Sequence, residues 1–123
     1  MAECDNMSDL IPVYQLIEYF DNEAFVLKTQ QQISKDFAKF NLFFPENFEN
    51  IPYSKTDIEE LIKENISDMI KQGETRLLQL MYTIDLPEKE FLHLTIQNDF
   101  LDLLAEKILR REAYKVFLRQ HIT

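Results

Sequence analysis

From residue 55 to residue 72, apolar side chains return every three or four positions: Ile58, Leu61, Ile62, Ile66, Met69 and Ile70. Residues at that spacing share one face of an α-helix, so the segment is predicted to be helical with this stripe turned to a core. Thr56 and Glu59 fit a capping box at its start, and Gly73 fits a C-terminal stop. Asn65 falls inside the stripe. It is expected at the stripe's edge, the alternative being a buried polar group that fixes packing register.

The same period recurs along most of the chain. Residues 1–8 read as a polar leader. Val13, Leu16, Ile17 and Phe20 predict a helix over about 10–21, with Pro12 tolerated in its first turn. Val26, Ile33, Phe37 and Phe40 predict another over about 23–41, with Gln30 filling a gap in the stripe. Leu77, Leu80, Met81 and Ile84 predict a helix over 75–85. A further one starts near Pro87, with Asp85 and Glu88 as a second capping box, and fades at Thr95-Ile96-Gln97. From 98 to 120, Phe100, Leu101, Leu103, Leu104, Ile108, Leu109, Tyr114, Phe117 and Leu118 cover much of a helix's circumference, the mark of a central element touched by several others.

The pattern breaks at residues 42–53, LFFPENFENIPY, where Pro45 and Pro52 deny helix continuity. This loop carries Phe43, Phe44, Phe48, Ile51 and Tyr53. Such rings either fold back over a core or stand out as anchors for a partner. Phe43, Phe44 and Phe48 are therefore the candidate partner contacts. The elements add up to an all-α fold: a single-domain, bundle-like array of about five to six helices. Ten of the fifteen Phe and Tyr residues lie in 1–53, which suggests an N-terminal helical hairpin (9–53) docked on a C-terminal helical unit (54–123).

Charge changes the picture in one respect. The chain of 123 residues has a net charge of −9, unevenly placed. Residues 1–106 carry 8 basic and 21 acidic groups, whereas 107–123 carry 5 and 1. The overall field repels phosphates and anionic lipid and favours basic partners. Lys107, Arg110, Arg111, Lys115 and Arg119 form a candidate basic patch. It is read either as a complement to the helix dipole and neighbouring acids or as a nucleic-acid contact. The lone Cys4, the acidic start (Glu3, Asp5, Asp9) and the lack of an apolar run long enough for a membrane point to a cytoplasmic protein.

Candidate chemistry is sparse. Glu90 and His93 have the Glu-x-x-His spacing of helix-bundle metal sites, but those sites need two such pairs and more carboxylates. No metal is expected. Cys4 lies in the leader, and Ser8, Ser34 and Ser54 sit in no nucleophile elbow. One glycine cannot make a phosphate-binding loop. No catalytic residue and no cofactor are expected.

Residues 75–119 carry TRLLQLMYTIDLPEKEF and then LAEKILRREAYKVFLRQ. This stretch resembles a set of small, uncharacterised helical bacterial proteins. They share a Leu-rich helix, an I-D-x-x-E-K segment and a final helix with a basic patch. The residues concerned are Ile84, Asp85, Glu88 and Lys89, then Ile108, Arg110, Arg111, Glu112, Lys115 and Arg119. The likeness covers the last third to half of the chain. It implies a helical fold and no activity.

The sequence thus points to a non-enzymatic protein–protein interaction module, with homodimerisation as one form of it. The alternatives are an acidic inhibitor or immunity-type protein that neutralises a basic partner, and a helical regulator that contacts nucleic acid through residues 107–119.

Overall fold

The structure, a computed structural model, describes residues 20–121. The expected leader and most of the expected helix at 10–21 lie outside the described residues. The elements are α1 (Glu23–Ala38), a 3₁₀ turn (Glu46–Glu49), α2 (Lys55–Gln72), α3 (Glu74–Thr83), α4 (Glu88–Leu94) and α5 (Phe100–His121). There is no strand among the described residues, and the fold is all-α.

Each helix begins and ends where local chemistry requires. Asn22 caps α1 by accepting the Phe25 N–H at 3.1 Å. Ser54 caps α2 by accepting the Asp57 N–H at 3.1 Å. The capping box expected of Thr56 and Glu59 is not the one used, because Ser54 already occupies the cap and Glu59 turns to Lys55 at 2.7 Å. Gly73, at φ 138°, ends α2 and begins α3, a backbone angle that an L side chain rarely adopts.

Two helix ends share one device. Asn41 has φ 60°, and the Leu42 N–H reaches back to the Phe37 carbonyl at 3.2 Å. Asp85 has φ 63°, and the Leu86 N–H reaches back to the Met81 carbonyl at 2.9 Å. Both are left-handed caps closed by a six-to-one hydrogen bond, and in both the following leucine is buried. This corrects two expectations. The helix begun at 23 stops at 38 rather than 41, and Asp85 terminates α3 instead of capping α4.

The long α5 is central: α1, α2 and α4 all pack on it, and α3 fills the space between α1, α2 and α4. One core cluster joins Val26, Ile33 and Phe37 of α1 with Ile58, Ile62, Ile66 and Met69 of α2, Leu80 and Met81 of α3, Phe91 of α4 and Leu104, Ile108 and Leu109 of α5. Burying rings and branched aliphatics of this size is the main drive for folding. Leu61 sits at the cluster's margin, and Ile70, although in the predicted stripe, is 42 % exposed. Asn65 is half-buried at the stripe's edge, facing the Phe43 carbonyl. No helix among the described residues is long and apolar enough to cross a membrane.

Candidate functional site

The loop at 42–53 is held to α1 by Gln31 and Ser34, which bond Glu49, and above all by one buried glutamine. Gln30 is fully buried in α1. Its Nε2 donates to the Phe48 carbonyl at 2.6 Å and to the Ile51 carbonyl at 2.9 Å, and its Oε1 accepts the Tyr53 N–H at 2.6 Å. The gap in the apolar stripe is thus a polar clasp with its carboxamide satisfied on both sides. It draws the aromatics inward. Phe48 is fully buried, stacked on Phe44 at 4.5 Å and edge-on to Tyr53 at 5.3 Å, while Phe44 meets Phe37 at 5.2 Å. Of the three candidate contact residues, Phe44 and Phe48 belong to the core, and only Phe43, 70 % exposed, presents its ring to solvent.

The five residues of the C-terminal basic run do not form one face. Lys107 pairs with Glu90 of α4 at 3.0 Å. That contact also occupies the carboxylate of the Glu-x-x-His pair, whose His93 is exposed. Arg111 is buried and Arg110 half-buried, each in contacts of its own. Lys115 points into the protein, and Arg119 stands exposed at the end of α5.

Lys115 enters a buried polar node. Its Nζ lies 2.8 Å from Asp36 Oδ2, 2.8 Å from the Thr83 carbonyl and 3.7 Å from Glu112 Oε1. Asp36 also accepts from Gln32 at 3.1 Å and faces Lys39 at 3.6 Å. Burial pushes the Glu112 carboxyl well above the usual carboxylate range, and the adjacent Asp36 adds to this while Lys115 opposes it. Burial also acts to raise Asp36, but hydrogen bonds from Glu112, Lys115 and Gln32, with the Lys115 charge, outweigh it and hold Asp36 low. Burial thus disfavours the charged form of Glu112, while Lys115 favours the charged form of Asp36. This node ties α1, the end of α3 and α5 together.

The node fixes the walls of a groove. Asp36 meets Lys115, and Gln32 meets Arg119. The two contacts step four residues in opposite directions, so α1 and α5 run antiparallel here. Between them lies a cavity of about 380 Å³ lined by Lys28, Gln31, Gln32, Lys35, Val116, Arg119 and Gln120. Among the described residues, no carboxylate lines it. The cavity between α2 and the start of α5 is different in kind, with Glu59, Glu60, Asp99, Asp102 and Glu106 beside Lys55 and Lys63. Two further cavities contain Glu64 and Asp68, and Glu46.

Lys28 and Lys35 are exposed, and neither has an ion-pair partner among the described residues. The guanidinium of Arg119 is bonded to the neutral Gln32. Three cations facing no carboxylate among the described residues are thus gathered in one groove of a chain with 22 acids and 13 bases. Of these residues, sequence reasoning singled out Arg119 alone. The available signal was the i, i+7 spacing of Lys28 and Lys35 on a helix whose only acids are Glu23 and Asp36.

No protein-family model matches the chain, and neither the curated proteins nor the solved structures contain a match to it.

Proposed function

We propose that this protein is a non-enzymatic protein–protein interaction module that engages its partner through the α1–α5 groove. One observation carries the reading: Lys28, Lys35 and Arg119 converge on a cavity that no carboxylate among the described residues lines, on a protein whose net charge is −9. Lys55, Lys63 and Lys107, all half-buried, settle into ion pairs, whereas the groove cations do not. A cluster left unpaired is free to attract an anionic partner and to set its orientation. The carboxamide of Gln120 adds a neutral donor and acceptor along the same walls, whereas Gln31 donates to the Glu49 carbonyl and Gln32 bridges Asp36 and Arg119.

A second reading is supported by the acidic cavity between α2 and α5, which suits a basic partner and an inhibitor-like role. It ranks lower because Lys55 and Lys63 already neutralise part of that face from within. A nucleic-acid role through residues 107–119 ranks lower still, since Lys107 and Lys115 are committed to internal carboxylates.

The test is site-specific photo-crosslinking in cells, with the crosslinker at Gln120 in the groove or at Asp68 on the acidic side. The expected result is capture of one defined protein from Gln120, lost in the Lys28→Glu/Lys35→Glu variant, and no such capture from Asp68. Equal capture from both positions, or capture indifferent to the charge reversal, contradicts the proposal.

A further inference from the structure

We infer that the groove's partner segment is an acidic α-helix whose carboxylates repeat every two turns. This inference rests on the groove reading above and adds the partner's secondary structure and charge register.

The argument is one of spacing. Lys28 and Lys35 are seven residues apart on α1, so they lie on one face separated by two turns, about 10.5 Å along the axis. Gln31 and Gln32 fall between them at the third and fourth positions, and Arg119 of α5 reaches the middle of the row at Gln32. The groove therefore offers charge at both ends and a facing guanidinium between, with Gln31 bonded to the Glu49 carbonyl and Gln32 to Asp36 and Arg119. A ligand that satisfies both lysines needs anionic groups on one of its faces about 10.5 Å apart.

An extended segment does not meet that need. Its side chains alternate, so same-face residues recur at about 6.6 and 13 Å, and both miss the interval. A helix meets it directly. Residues i and i+7 share a face at the same two-turn rise as the lysines, and residues i+3 and i+4 oppose the glutamines and Arg119. Helices of equal pitch laid side by side keep this match along their length, the geometry of a helix seated in a two-helix groove. The floor allows a close approach, because Val116 is short, branched and buried. A nucleic acid fits less well, because its phosphate row continues beyond the groove onto a surface dominated by carboxylates.

The experiment uses the full chain and two synthetic helical peptides of about three heptads, equal in composition and helicity. One carries Glu at i, i+3 and i+7, and the other carries the same residues with i+7 moved to i+5. Fluorescence anisotropy is read at about 50 mM and about 300 mM salt. The matched peptide is expected to bind about two- to fivefold more tightly than the mismatched one and to weaken as salt rises. Lys28→Glu/Lys35→Glu should abolish that preference. A peptide with Lys in place of Glu, in the matched register, should restore binding to the variant. Equal affinity for the two peptides, no measurable binding of either, or tighter binding of a single-stranded RNA of equal charge overturns the inference. If crosslinking at Gln120 still captures a charge-reversal-sensitive partner while the peptides show no register preference, the helix inference fails and the groove reading stands.

Discussion

Lys115 Nζ and Asp36 Oδ2 meet at 2.8 Å across 79 residues of chain, and that contact locks the last helix onto the first described one. Asp36 has almost no exposed side chain, whereas Lys115 keeps 23 %. The lysine carries its charge from the surface to a carboxylate that cannot reach water. Removing one member of a buried pair leaves an unpaired charge, a defect that costs about 3–5 kcal/mol. Lys115→Ala should therefore lower the unfolding free energy by about 3 kcal/mol, less than the full range because Gln32 and Lys39 still face Asp36. Urea unfolding measures it, and a change below about 0.5 kcal/mol would show that the contact is not made in solution.

Glu112 and Asp36 act in opposite directions with pH. Glu112 is raised above its ordinary 4.5, so the folded state holds this proton more tightly than the unfolded chain does. Its contribution is full below pH 4.5 and is lost as pH climbs through the folded value. Asp36 is lowered from 3.8, so its contribution is present above that value and is lost as pH falls through the folded one. Stability should accordingly decline because of Glu112 as pH rises from 4.5. Glu112→Gln, a neutral isostere, should flatten that decline. Denaturant midpoints measured from pH 4.5 upward check this, and an unchanged slope in the variant would contradict the assignment.

Gln30→Leu tests the clasp. It leaves the Phe48 and Ile51 carbonyls and the Tyr53 N–H without the partner they have now. Each buried, unsatisfied group costs about 1–3 kcal/mol. Because only the Phe48 bond is buried and the other two are part-buried, the variant should lose about 1–3 kcal/mol, and amide exchange at Tyr53 should rise well beyond that at the α2–α5 core. Protection at Tyr53 equal to the wild type's would show that the loop is held by its rings alone.

The aromatics of the loop should separate by burial. Phe48→Ala is expected to cost about 3–5 kcal/mol, whereas Phe43→Ala, at an exposed ring, should stay within about 0.5 kcal/mol. Thermal unfolding of the two variants is a sufficient check.

These contrasts mark what the sequence could and could not express. The stripes of α2, α3 and α5 were legible because helical periodicity is local, and so were Gly73 and the proline-bounded loop. The left-handed ends at Asn41 and Asp85 were not, because each depends on a backbone bond from a leucine back to the preceding turn. Gln30 looked like a flaw in a stripe because its three partners lie 18 to 23 residues away. The groove was the hardest to see. The spacing of Lys28 and Lys35 is written in the chain, but their meeting with Arg119 depends on the antiparallel approach of α1 and α5. The basic run at 107–119 drew the eye instead, although its members disperse to separate partners.

The groove is the central claim, and backbone amide shift mapping by NMR tests it most directly. The full protein is titrated with the matched acidic helical peptide and its amide positions are followed. Perturbations should concentrate at Lys28, Gln31, Gln32, Lys35, Val116, Arg119 and Gln120, and should vanish in Lys28→Glu/Lys35→Glu while the fold and melting temperature are retained. Perturbations centred instead on the acidic cavity around Glu59, Asp102 and Glu106, or on the exposed ring of Phe43, would contradict the account.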